Sequence, residues 1–364
     1  MPAPTPTVPG LPAPRPRDLL TDDVLGQLRG TDGAGEEALA ADIGVLRAAG
    51  YLAVALPPGL GGLGCTLRQA ACGQRRLAGI APLTAVAVSA HLYWTGAAAD
   101  AARSGDGSMA WLLDEAARGA LFGAGHRAAR PGRDLTFADP GSRCEPAPDG
   151  GYELRGEAAL ATLTPGCDWV AVHAITGGAG AARHDAVLAF ARVERGGRCR
   201  PSYRVARVLP AGAPSDVFTT SAVGWGCAVL ASVEFSAARR AFRQAVDRLP
   251  AAAGPAPIPP QAPRLAAPSP APAARHSQEA GTRADHLDQW PVAEASLRLD
   301  GLKERIAEVT HPWPRVPEPG PDLGGQHLIS VYAMRREVTE GSQRVRDLAT
   351  AITTATSPVP ARHR

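Results

Sequence analysis

Lysine is all but missing: among the 38 basic residues of the 364-residue chain, Lys303 is the only lysine. The net charge of +3 therefore rests on arginines. They are scattered among alanines and acidic residues rather than gathered in a stripe with interleaved aromatics, a distribution that predicts no nucleic-acid partner. No CxxC pair occurs, and no cysteine has a histidine at metal-ligand spacing, so the sequence predicts no metal site. The six cysteines, Cys65, Cys72, Cys144, Cys167, Cys199 and Cys227, read as reduced, mostly buried thiols, because a chain this long can build a core without disulfides. No run approaches the roughly 20 apolar residues that cross a bilayer, which predicts no membrane partner. The first residues, MPAPTPTVPGLPAPRPRD, hold too many prolines for a signal-peptide helix. A cytoplasmic protein is expected.

What is present is ordinary for a globular protein, 45% apolar and 20% charged, and long enough for two or three domains. Residues 1–20 read as a disordered tail and 21–118 as a helical domain. In EEALAADIGVLRAAG, Leu39, Ile43 and Leu46 recur at helical spacing and Gly50 follows as the terminating residue. YLAVALPPGLGGLG turns at its prolines, and its glycines allow either a close approach or a simple reversal. TLRQAACGQRRLAG resumes helix with Leu67, Ala71 and Leu77 or Ala78 on one side. LTAVAVSAHLYWTGAA reads as a helix buried on most faces, and Ser108 as the cap of SMAWLLDEAARG.

Residues 119–248 read as a mainly antiparallel β domain with a short trailing helix at 237–248. DGGYELRGEAA, DWVAVHAI, AVLAFARV and SYRVARVLP are strand candidates between glycine-rich turns. GWGCAVLASVEF is expected to close the domain as a strand, with Val233 and Phe235 on one face and Glu234 on the other. Proline-rich residues 249–284 form a linker. In the helical domain at 285–350, Ala295, Leu299, Leu302, Ile306 and Val309 define one amphipathic helix. Leu328, Val331, Val338, Val345 and Leu348 define a second, near a heptad rhythm. Residues 351–364 are a second tail.

Four stretches in this order resemble the acyl-CoA dehydrogenase family of flavoproteins. LRAAGYLAVALPPGLGGLGCTLRQAACGQRRLA resembles the family's helix, proline turn, GGxG run and next helix. GYELRGEAALATLTPGCDWVAV resembles GYxLNGxKxWITNxxxADxxVV, GWGCAVLASVEF is similar to GMRGTxSxxVxF, and ISVYAMRREVTEGSQRVRDLA resembles AKxxxxExAxRVxDxAxQ. The resemblance implies an α+β fold: an N-terminal helical bundle, a central antiparallel β domain and a C-terminal helical domain, here shortened. It further implies FAD between the β and helical domains, with FMN or a lost flavin as the alternatives. The substrate would be an acyl thioester or related small molecule, and the subunit would belong to a homo-oligomer or a hetero-oligomer with a related subunit. In the family's usual reaction a glutamate takes the α-proton and flavin N5 accepts the β-hydride, so the protein's share is orientation and electrostatics.

Set on the family's LTEPxxGSD loop, Arg127 replaces threonine, Ala128 glutamate and Ala129 proline; Gly132 and Asp134 keep their types, and Arg133 replaces serine. Arg127, Arg130 and Arg133 either grip a phosphate through bidentate donation or form a solvated rim. Leu160 replaces the flavin-side tryptophan, and Thr162 keeps the hydroxyl position. Gly226 and Ala228 replace the arginine and threonine of GMRGT, and Trp225 at the methionine position reads as core. The proline-rich run occupies the place of the family's phosphate-binding arginine and glutamine, which leaves Arg243 as the substitute. The catalytic glutamate beyond the last helix has no counterpart. His91 is the weak candidate base, with a satisfied core histidine as the competing reading, and Glu294, Glu304, Glu308, Glu337 and Glu340 read mainly as solvated helix faces. Three functions stay open: an acyl-CoA dehydrogenase-like oxidoreductase, a flavin-dependent monooxygenase, and a degenerate subunit or interaction module that has lost its flavin.

Overall fold

The computed structural model describes residues 15–29, 35–124, 142–148, 150–155, 166–176, 186–193, 202–210, 217–249, 275–311 and 323–355. The described residues begin with two short helices, α1 (Pro16–Leu19) and α2 (Asp22–Gly26). The first lies inside the stretch expected to be a disordered tail. It is held because Asp18 accepts the Arg15 N–H at 2.9 Å and Leu20 is wholly buried in the core.

Helix α3 (Glu36–Ala48) buries Ile43 and Leu46 and stops at Gly50, whose φ of +76° is a left-handed conformation that glycine adopts without penalty. The glycine run that follows approaches its own backbone. A Cβ on Gly62 would stand 2.1 Å from the Leu56 carbonyl oxygen. Thr66 then caps α4 (Leu67–Ile80) in a reciprocal box with Gln69, at 3.3 and 2.9 Å. In α5 (Pro82–Arg103) every residue from Val88 to Ala101 is buried, as its nearly continuous apolar sequence demands. Helix α6 (Ala110–Ala117) follows. Ser108 does not cap it: Met109 is the N-cap residue, and the Ser108 N–H instead donates to Asp106 at 2.8 Å, closing an Asx turn one step earlier.

Among the described residues six strands occur: β1 (Phe122–Ala124), β2 (Arg143–Pro146), β3 (Tyr152–Arg155), β4 (Trp169–Thr176), β5 (Ala186–Arg192) and β6 (Ser202–Pro210). Their order is β1-β4-β2-β3-β6-β5, and β5 also pairs with β4, so five strands close into a barrel with β1 beside β4. Most pairs are antiparallel as expected, while β1 and β2 run parallel to successive parts of one β4 edge. Val170, Val172 and Ala174 with Val187, Ala189 and Ala191 fill the barrel. Their alternates Trp169, Ala171, Leu188 and Phe190 face the helical core. With both faces covered, these strands read as almost unbroken apolar runs.

The largest correction concerns GWGCAVLASVEF. It is not a closing strand but part of a 30-residue helix, α7 (Val217–Val246). Val233 and Phe235 are both buried as expected, and Glu234 is turned toward α9 (Leu323–Ala355). By length and composition α7 is also apolar enough to cross a membrane, contrary to the expectation that no segment approaches this. Its apolar window is 67% buried inside the protein, which accounts for the composition by core packing. Helix α8 (Arg275–Thr310) starts within residues expected to be linker. Ala295, Leu299, Leu302, Ile306 and Val309 of α8 are all buried, as are Val331, Val338, Val345 and Leu348 of α9, while Leu328 is half-buried. Thus α7, α8 and α9 pack together, and α7 also lies along α4 and α5.

Candidate functional site

Helix α5 is the wall shared by all parts of the fold: α7 packs along it, α3, α4 and α6 lie beside it, and β1 abuts it. Two side-chain networks fix its position. Asp100 accepts the Trp225 indole N–H at 2.7 Å and is paired with Arg103, which ties α5 to α7 through a buried carboxylate. Gly96 lies under the Trp225 ring, where a Cβ would come within 2.3 Å of it. Trp225 is wholly buried and is core, as its sequence reading held. Near the other end of α5, Gln74 donates to the Ala85 carbonyl and to Ser89, each at 3.0 Å, and accepts from the Tyr51 hydroxyl at 3.2 Å.

His91 belongs to a third such link. Its Nε2 lies 2.8 Å from the Leu52 carbonyl and must donate to it; Nδ1 then accepts the Phe122 N–H at 3.3 Å. Burial, opposed by the bond to Leu52 and assisted by the Arg47 charge, lowers its pKa to about 4. Both nitrogens are used, so His91 is a neutral core histidine that joins α5 to β1 and has no lone pair left for a substrate proton.

The carboxylates of α8 and α9 are likewise engaged. Glu294 accepts from Arg344 at 3.0 and 3.2 Å and from Arg298 at 3.2 Å, contacts that hold its carboxyl below the usual range. Glu308 and Glu337 share Arg305 at 2.8 and 2.9 Å, Glu340 takes Arg336 at 2.8 Å, and Glu304 lies 3.7 Å from Lys303. These are solvated or helix-joining faces. Burial raises the thiols of Cys65 and Cys167 to about 12 and that of Cys144 to about 11, so none is poised as a thiolate.

Of the residues expected to hold a flavin, Arg127, Gly132, Arg133, Asp134 and Thr162 lie outside the described residues, as do Arg130 and Leu160. Arg243 is exposed on α7, one turn after Arg239. The guanidinium of Arg239 is made easier to deprotonate by burial and by the like charges of Arg243 and Arg75.

Sequence reading missed Trp94. It is 1% exposed, and its ring stands 5.6 Å from Phe190 of β5, 6.1 Å from His173 of β4 and 6.1 Å from Phe218 in the first turn of α7. The N-terminal helices, the barrel and the C-terminal helices meet at this ring. Its indole N–H has no hydrogen-bond partner. An unpaired buried donor of this kind costs about 1–3 kcal/mol and is uncommon in folded proteins. Only its position three residues after His91 in SAHLYW hinted at it. By contrast, the groove of about 450 Å³ between α6 and the barrel has its indoles occupied: Arg192 covers Trp169 at 4.8 Å and Arg207 covers Trp111 at 4.7 Å.

No family model matches the chain, and no curated protein matches it. Solved structures do. The chain is similar to the nitrososynthase of Micromonospora carbonacea var. africana, at 19% identity over 93% of this chain and 85% of that one, with a TM-score of 0.62. It is similar to TdsC, the dibenzothiophene monooxygenase of Paenibacillus sp. A11-2, solved with FMN and indole, at 16% identity over 94% of each chain and a TM-score of 0.62. It is also similar to KijD3 in complex with FMN and a dTDP-amino-keto-sugar, at 17% identity over 98% of this chain and 92% of that one, with a TM-score of 0.61. The chain therefore shares the fold of these three enzymes.

Proposed function

We propose that the chain is a flavin-dependent monooxygenase that binds FMN where the barrel, α5 and α7 meet and oxygenates a small organic molecule. The observation that carries this reading is the nearly full-length fold likeness to an FMN-bound monooxygenase. A second supports the choice of oxygenation over α,β-dehydrogenation: the carboxylates of α8 and α9 that sequence reading weighed as bases are committed to arginine or lysine contacts. Oxygenation needs no protein carboxylate to take an α-proton.

When bound, a reduced flavin would supply the two electrons that, with two protons, let dioxygen give one oxygen atom to the substrate and the other to water. The chain's own share is binding and exclusion of water. Trp94, Phe190 and Phe218 pack together where α5, the barrel and α7 meet, and His91 keeps β1 against α5. Arg127, Arg130, Arg133 and Thr162 are the residues proposed to meet the phosphate and ring edge.

The test starts with FMN and FAD titrations of the purified chain, followed by the visible flavin absorption. Reduced FMN is then supplied with isotopically labelled dioxygen and indole. Saturable FMN binding with one labelled oxygen in the product is the expected result. Absence of saturable binding by either flavin overturns the reading, and turnover of an acyl thioester with an artificial acceptor under anaerobic conditions replaces it with dehydrogenation.

A further inference from the structure

We infer that helix α8 pairs antiparallel with α8 of a second copy of the chain, Trp290 of each copy lying in the groove beside Gly301 and Arg68 of the other. This pairing is independent of the flavin reading above.

Helix α8 is apolar on two opposite faces. Ala295, Leu299, Leu302, Ile306 and Val309 are buried against the rest of the protein, whereas Trp290 is 71% and Leu297 75% exposed. At about 3.6 residues per turn these two stand on one line, with Ala293, Gly301, Glu304 and Glu308 within about 40° of it. A surface helix normally turns polar residues outward. An exposed indole and leucine two turns apart instead form a ridge, the pattern of a helix seam that meets another helix. Gly301 continues the same line. A glycine inside a helix is less favourable than alanine, and no contact within the chain requires this one. A Cβ on Gly301 would meet nothing within 4 Å, whereas Gly341 of α9 is kept small by Leu302 at 2.8 Å.

Where the first half of this line protrudes, the second half is concave. A groove of about 530 Å³ lies between the last turns of α8 and the start of α4, lined by Gly301, Glu304, Glu308, His311 and Arg68. Its chemistry suits an indole. The exposed Arg68 guanidinium can lie over the ring face, and Glu304, exposed and 3.7 Å from Lys303, can accept the ring N–H. Trp290 and Glu304 stand at equal spacing on either side of Leu297, about 10 Å each way along the helix. A two-fold axis at Leu297 therefore sets Leu297 against Leu297, Ala293 against Gly301, and each Trp290 at the other copy's Glu304. Ridge and groove are thus complementary to themselves, which is what a two-fold interface requires of one surface. A single pair of helices covers an area at the low end for a specific interface, so the pair is expected to dissociate on dilution.

Sedimentation of the full chain over a concentration series tests the pairing. Wild type is expected to associate reversibly. Trp290→Ala removes the ridge and Gly301→Leu fills the receiving position, and each is expected to raise the dissociation constant about 30-fold or more, the scale of a tryptophan hot spot. Because Gly301→Leu adds apolar surface, unspecific stickiness would respond in the opposite direction. Neither variant pairs with itself, yet an equimolar mixture joins an intact Trp290 to an intact Gly301 at one of its two contacts and should regain association. Both positions are exposed, so urea unfolding of the dissociated chains should find neither variant less stable. Should one unfold earlier, Leu297→Gln at the two-fold axis and Arg68→Glu in the groove repeat the test.

Loss of association in each variant and its recovery in the mixture support the inference. Wild type that stays a single chain at every soluble concentration overturns it, whether a segment of the same chain or another protein covers the ridge. Association that survives in either variant also overturns it, because the copies then meet through another surface. A mixture no more associated than its components has the same consequence.

Discussion

At the scale of single residues, hydrogen-bond bookkeeping separates structural from chemical groups. A second proton on His91 would have to sit on Nδ1, facing the Phe122 N–H that this nitrogen now accepts. The folded protein therefore binds this proton less readily than the unfolded chain, whose histidine has a pKa near the ordinary 6.5. With the folded value lowered to about 4, its contribution to stability is complete above pH 6.5 and declines as pH falls from 6.5 toward 4. The decline attributable to this group reaches about 3 kcal/mol at the low end. Urea unfolding across that range should show it, and His91→Gln, which retains a donor and an acceptor, should flatten the slope. An unchanged slope would mean that other groups govern acid stability. Asp100 raises the complementary case. Trp225→Phe removes a donor from a buried carboxylate, and urea unfolding should find it less stable by about 1.5–3 kcal/mol, the range for hydrogen bonds to charged groups.

At the scale of elements, the α5–α7 crossing depends on a missing side chain. Gly96→Ala gains up to about 1 kcal/mol in helix propensity. It also places a methyl group 2.3 Å from the Trp225 ring, which is wholly buried and bonded to Asp100 and so has no room to retreat. Overpacking of this kind costs about 1–3 kcal/mol, so the clash outweighs propensity and the variant should unfold at lower urea. An alanine variant as stable as wild type would show that the helices can separate without loss.

The same crossing explains what the sequence disclosed and what it hid. Helices α8 and α9 were legible because each has one buried stripe: Leu299, Leu302 and Ile306 inside, Glu304 and Lys303 outside. Strands β4 and β5 were legible from β-branched and aromatic residues between turns, even though both faces are covered. Helix α7 was misread because it is buried on nearly all sides between α4, α5 and α9. No polar face marks a period of 3.6, and its Gly, Val, Trp and Phe residues have the composition of a strand. Strands β1 and β2 span three and four residues, too short to show any alternation. As for the site, SAHLYW drew attention through its histidine, yet the residue with unspent bonding capacity is Trp94. Whether a buried donor finds an acceptor depends on residues distant in sequence, which no local pattern encodes.

At the scale of the whole molecule, α5 makes the described parts depend on one another. The barrel presents Trp169 and Phe190 to the same core that receives Trp94, Leu92 and Phe218, and the C-terminal helices reach that core through α7. Removing either partner would expose this continuous apolar surface to water, at about 25 cal/mol for each Å². Calorimetry of the flavin-free protein should therefore show one main unfolding transition rather than separate transitions for barrel and helices. Because the proposed FMN site lies where these parts meet, ligand binding should shift that whole transition. At a free FMN concentration about one hundred times the Kd, the stabilisation from mass action is about 2.7 kcal/mol, and Tm should keep rising with concentration. Two resolved transitions, with FMN moving only one of them, would place the cofactor within a single part of the fold and remove the three-part junction as its binding site.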